Sequence, residues 1–154
     1  MIKIFDAFAV LCWIQEEPGS SCINHLMEEA EKKAIKIHIS AINVGEIFYR
    51  LYKNGKSKVA ASFLSDIKRK VFPWQVVPAT NMRVWEAAKL KGEYMISYAD
   101  AFAMALAREM GGEIVTRDPE IIAVCNEGRF YWIRYLQNGI ALADKIKGLR
   151  QHRA

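Results

Sequence analysis

Apolar residues along this chain fall into two kinds of run. Some are short and continuous: IKIF at 2–5, IKIHIS at 35–40, WQVV at 74–77, EIVT at 113–116 and the aromatic RFYWIRYL at 129–136. Short runs bounded by polar or turn residues read as buried strands. Between them lie longer stretches whose apolar residues recur every three or four positions, the period of a helix with one face in a core. These follow Asp6 directly, run from Gly19 to Lys33, and cover AINVGEIFYRLYK (41–53), KSKVAASFLSDIKRK (56–70), NMRVWEAAKLKG (81–92), ISYADAFAMALAREM (96–110) and DPEIIAVC (118–125). The lysine-bearing tail from Gln137 reads as a last helix.

The punctuation agrees with the periods. Ser40 and Thr80 are placed to cap helices, because their hydroxyls accept the free N–H groups of a first turn. Asn54-Gly55 and Gly111-Gly112 stop helices. Asp118 caps the next helix, with Pro119 in the first position, where a missing N–H costs nothing. With no repeat, low-complexity tract or linker, residues 1–154 read as a single domain. Strands alternating with helices predict a three-layer α/β/α fold around a central, mostly parallel sheet of about five strands.

In open α/β sheets, ligands bind beyond the carboxyl ends of the strands. Asp6 follows the first strand, Asp118 lies two residues after EIVT, and Asp100 opens the most apolar helix. Capping alone would explain each one. Two at one edge of the sheet, with Asp100 capping a third, buried helix, suggest a site.

Composition narrows what that site can be. In 154 residues, 52% hydrophobic and 25% charged content is enough for one core and argues against disorder. The formal net charge of +5 suits an anionic partner such as nucleic acid. No apolar run approaches the ~18 residues that span a bilayer, and Asp6 breaks the opening run, which makes a poor signal peptide. Cys12, Cys22 and Cys125 sit among apolar neighbours without CxxC spacing, as reduced thiols of a cytoplasmic protein would. His25, His38 and His152 form no zinc-binding set. The dinucleotide, P-loop and hydrolase-elbow glycine motifs are all missing. An aspartyl-phosphate phosphatase would carry a second Asp where Phe8 stands. Clustered carboxylates repel one another unless a cation joins them. Hard oxygen ligands without His or Cys select Mg²⁺ or Mn²⁺, metals that serve phosphate chemistry.

IKIFDAFAVLCWI, ISAINVGEIFYRLYK, ISYADAFAMALAREMGGEIVTRDPEI and FYWIRYL together resemble the PIN-domain family, and most of all the VapC-type toxins of toxin–antitoxin pairs. The likeness spans residues 1 to about 136, and the spacing within SYADAFAMALA…EIVTRDPE is its most specific part. It implies a small parallel sheet flanked by helices and metal-dependent cleavage of RNA. By position it implies Asp6, Glu46, Asp100 and Asp118 as catalytic acids and metal ligands, with Thr116 and Glu120 in support. It also implies a cognate antitoxin and a homodimer. Two rival readings accompany it: a PIN-like domain that binds RNA or protein without cutting, and a PIN nuclease of RNA maturation with no antitoxin.

Glu46 rests on the resemblance alone. It lies almost opposite the Val44–Ile47–Phe48–Leu51 stripe, where periodicity predicts a solvated residue. Ala7 and Phe8 depart from the family pattern, in which small polar residues follow the first Asp; Phe8 is expected to pack away from the metal. DIKRK (66–70) with Lys53, Lys56 and Lys58 could follow a phosphate backbone or form a solvated face. Trp74, Trp85, Trp132 and Tyr135 could stack bases, although packing is the commoner use.

Overall fold

The computed structural model describes residues 1–126, 133–137 and 140–141. The elements run β1 (Ile2–Phe5), α1 (Ala7–Ile14), α2 (Ser20–Glu31), β2 (Lys36–Ser40), α3 (Ala41–Lys53), α4 (Ser57–Arg69), β3 (Trp74–Val77), α5 (Asn81–Glu93), α6 (Tyr98–Met110), β4 (Glu113–Thr116), α7 (Pro119–Asn126), β5 (Ile133–Gln137) and β6 (Ile140–Ala141). The sheet order is β3-β2-β1-β4-β5-β6. Neighbours from β3 to β5 are parallel, and β6 pairs antiparallel with β5. This is the α/β architecture the sequence predicts. Where it predicts a helical tail, Gln137 instead closes β5 and Ile140–Ala141 forms β6. The rest of that tail, and residues 129–132 of the predicted last strand, lie outside the described residues.

Alternation along the strands builds a core on each face of the sheet. Ile4 and Ile114 point to one side, where they meet Ala87 and Leu90 of α5 and the run from Ala101 to Ala107 of α6. Phe5 and Val115 point to the other, against Val10 of α1, Ile23 of α2, Ile47 of α3 and Phe63 of α4. Helix α6 is buried from Asp100 to Ala107, and its alanines are small enough to let its backbone lie close to the sheet. Trp74 belongs to this packing: it stacks on Phe72 at 4.4 Å and meets Phe5 and Trp13 edge-on. Trp85 is 61% exposed. The side chains of Trp132 and Tyr135 lie outside the described residues.

The central pair β1–β4 is fixed where the two strands begin. Lys3 is 1% exposed and sits opposite Glu113, with which it forms an ion pair. A lone buried ammonium would be very costly, so the pair favours this register over a slip. Gly111 ends α6 at φ +59°, in the left-handed region where glycine avoids a steric cost. At Gly112 a Cβ would lie 2.9 Å from Ile2 Cγ2 and 3.2 Å from the Ile2 carbonyl, so β4 reaches β1 only because this residue has no side chain. Among the described residues no helix is long and apolar enough to cross a membrane.

Candidate active site

The β1–β4 register carries on one step beyond the strands. Phe5 faces Val115, so Asp6 and Thr116 follow at the carboxyl edge of the sheet. Asp6 caps α1: its Oδ1 accepts the Ala9 N–H at 2.7 Å. Its Oδ2 accepts the Thr116 hydroxyl. That hydroxyl oxygen accepts the Asp118 N–H at 2.8 Å, and Asp118 Oδ1 accepts the Glu120 N–H at 2.8 Å to open α7. One fully buried threonine therefore joins Asp6 to Asp118.

Asp100 does not occupy the capping position its sequence context suggests. Ser97 is the N-cap of α6, and its hydroxyl accepts the Asp100 N–H at 3.1 Å. Asp100 Oδ2 returns the contact, accepting Ser97 N–H at 3.2 Å and the Ser97 hydroxyl at 2.5 Å. This reciprocal capping box moves Asp100 into the first turn and fixes its carboxylate there.

Glu46 is buried, at 7% exposure, against the expectation from periodicity. The reason is that α3 packs against α1 and α4 and also against α6, so more than one of its faces is covered. Glu46 Oε1 pairs with Arg50 at 3.1 Å, while Oε2 is buried without a partner. Asn43, fully buried one turn earlier, donates from Nδ2 to the Ala99 carbonyl at 3.2 Å and so ties α3 to the residue before Asp100. Sequence reasoning missed Asn43. Its spacing of three from Glu46, which puts both on one helix face, was the available signal.

Asp100, Asp118 and Glu120 come together, with one carboxylate oxygen from each lying within 4.8 Å of the others. Glu120, given only a supporting place from the sequence, is thus as close to the cluster as the two Asp residues. Asp6 and Glu46 lie outside that triplet but share its field. Burial pushes the Asp6 pKa up to about 8; the Thr116 and Ala9 hydrogen bonds oppose this, and Asp100 and Asp118 add to it. Asp100 is raised by burial and by Asp118 and Glu120, against the pull of Ser97. Glu46 is raised by burial and by Asp100 and Asp118, against Arg50 and Asn43. An edge that raises the proton affinity of several acids together favours a cation. The donors are all oxygens, and the orphaned Glu46 Oε2 is an acceptor with nothing to accept. Both features fit Mg²⁺ or Mn²⁺.

Residues 3–127 match the sequence model of the PIN domain. The chain belongs to the PIN-domain family. Several solved structures share this PIN fold. VapBC2 of Rickettsia felis, bound to a DNA fragment from its promoter, aligns at TM-score 0.62 and 20% identity over 80% of this chain and 92% of that one. VapC20 of Mycobacterium tuberculosis, described as a Sarcin–Ricin loop cleaving toxin, aligns at 0.58 and 16% over 80% and 95%. A toxin–antitoxin complex from Klebsiella pneumoniae aligns at 0.52 and 16% over 79% and 92%. No curated protein matches the sequence. In this PIN domain Phe8 is half-buried and belongs to neither core cluster.

Proposed function

We propose that this PIN domain is a Mg²⁺- or Mn²⁺-dependent endoribonuclease, the toxin of a toxin–antitoxin pair. The observation that carries the reading is the meeting of Asp100, Asp118 and Glu120 within 4.8 Å, beside Asp6 at the carboxyl edge of the sheet. Membership of a nuclease family supports it, as do the toxin and toxin–antitoxin structures that share the fold.

Asp6, Asp100 and Asp118 would hold the ion, with Glu120 and Glu46 completing its surroundings. When bound, the ion supplies Lewis acidity, polarising a phosphoryl oxygen and lowering the pKa of a water. Thr116 orients Asp6 and Asp118 together, and the Ser97 box holds Asp100. Glu46, whose proton affinity is raised, takes up a proton from the attacking water. Because water and not the RNA 2′-hydroxyl is the nucleophile, the products carry 5′-phosphate and 3′-hydroxyl ends. The net charge of +5 favours a polyanionic substrate. The protein acts in the cytoplasm as a homodimer. Its antitoxin silences it by pairing an Arg or Lys with these carboxylates.

The test incubates purified protein with cellular RNA in Mn²⁺ or in EDTA and maps the product ends. Cleavage should need the metal and vanish in Asp118→Asn. Cleavage that persists in EDTA, or that leaves 2′,3′-cyclic phosphates, refutes the mechanism. Ala7 and Phe8 in place of polar residues favour a non-cleaving RNA-binding domain as the second reading; binding without cleavage in Mn²⁺ would establish it.

A further inference from the structure

Helix α3 leaves the acidic cluster carrying an ordered set of side chains. At 100° per residue, Tyr49, Arg50 and Lys53 all lie within about 60° of the direction of Glu46, so the four form one stripe roughly 10 Å long. The stripe begins at the buried carboxylate and runs outward. Tyr49 is 54% exposed, the Arg50 side chain is 43% exposed, and Lys53 is exposed. Arg50 holds Glu46 Oε1 at 3.1 Å, and its charge also interacts with Asp100. It is thus a half-exposed cation at the rim of an acidic cluster, where a polyanion entering the cluster needs a positive contact.

We propose that this face of α3 is the track that leads an unpaired nucleotide segment into the acidic cluster. Tyr49 stacks a base, Arg50 exchanges Glu46 for the phosphate beside the scissile one, and Lys53 takes the next phosphate outward. The chemistry is that of single-strand binding: an aromatic ring offers a platform to any base, and cations follow the backbone. A paired strand cannot use Tyr49, because its bases are stacked within the helix. The inference rests on the nuclease reading for the identity of the substrate. Tyr52 is an internal control: it is 61% exposed on the same helix but off the stripe, and it stacks on Phe48 at 6.0 Å.

The experiment measures anisotropy of a short labelled oligoribonucleotide, unpaired or as a duplex, in Ca²⁺ over a series of salt concentrations. Arg50→Ala and Lys53→Ala should each flatten the slope of log affinity against log salt by about 0.7, the value for one phosphate on a single strand, and Arg50→Lys should keep it. Tyr49→Ala should weaken unpaired binding by about 5- to 100-fold without changing the slope, Tyr49→Phe should restore it, and Tyr52→Ala should change nothing. Calorimetry should find Mn²⁺ binding by Tyr49→Ala equal to wild type. An unchanged slope in Arg50→Ala, or unchanged affinity in Tyr49→Ala, overturns the track. So does intact RNA binding in variants that no longer co-purify with a co-expressed antitoxin, which would give the face to a protein partner. RNA cleavage with unaltered binding sinks the track alone. The predicted binding effects without metal-dependent cleavage sink the nuclease reading alone, and a wild-type protein that binds no RNA sinks both.

Discussion

Asp6→Asn should make the metal-free protein more stable while abolishing its response to metal. Asp6 is 1% exposed, and its pKa is raised from 3.8 to about 8, chiefly by burial. A carboxyl that binds its proton more tightly folded than unfolded contributes stability at low pH, and that contribution is lost as pH rises from about 4 to about 8. At pH 7 the folded group keeps its proton while the unfolded chain has released it about three pH units earlier. At about 1.4 kcal/mol per unit, the folded state is penalised by up to about 4 kcal/mol. Asparagine carries no such charge and can reuse the same partners. Its carbonyl accepts the Ala9 N–H, Asn being as good a cap as Asp, and its amide donates to Thr116 Oγ1. In EDTA at pH 7 the variant should therefore gain about 2–4 kcal/mol, or roughly 5–15 °C in Tm. Its stability should also fall less between pH 4 and 8. Saturating Mn²⁺ narrows the gap: at a hundredfold excess over Kd the wild type gains about 3 kcal/mol, and the variant does not. Urea and thermal melts at pH 5, 7 and 8, with Mn²⁺ or EDTA, read all of this. A variant less stable than wild type in EDTA at pH 8 would falsify the claim that a buried, uncompensated carboxylate sits at position 6.

Thr116→Val keeps the shape of β4 but removes the hydroxyl shared by Asp6 and Asp118; calorimetry should show Mn²⁺ affinity reduced by about 10–100-fold, and denaturation a loss of about 1–3 kcal/mol from the unpaired Asp118 N–H. Phe8→Ser should leave the melting curve within about 1 kcal/mol of wild type, since Phe8 lies outside both core clusters, and should raise RNA cleavage by supplying a hydroxyl beside Asp6; unchanged or lower activity in a folded variant would refute the role given to the missing polar residue. Gly112→Ala forces a methyl against Ile2 and should cost about 1–3 kcal/mol by chemical denaturation, with weakened Mn²⁺ binding because β4 carries Thr116.

The sheet and its helices were legible because each element announces itself locally, in the short apolar runs IKIF and EIVT and in the caps at Ser40 and Thr80. Periodicity failed at Glu46 and passed over Asn43 for one physical reason. It assigns a helix a single buried side, and α3 is covered on more than one. The cap of α6 is encoded in the spacing of Ser97 and Asp100, the signature of a capping box. The cluster of Asp100, Asp118 and Glu120 is a different matter. Its closeness depends on how α6 and α7 meet at the sheet edge, and no local pattern encodes that. Resemblance named the two Asp residues as ligands but gave Glu120 only a supporting place.

Asp6 and Thr116 touch across 110 positions of sequence, as do Lys3 and Glu113. The first strand to leave the ribosome therefore waits for nearly the last before the sheet can close around it. A nascent chain that already displays Asp6, Glu46 and Asp100 still lacks the strand that sets them in place. On the nuclease reading, fragments from stalled synthesis or early proteolysis would lack the assembled acidic edge, which is complete only once synthesis has passed Glu120.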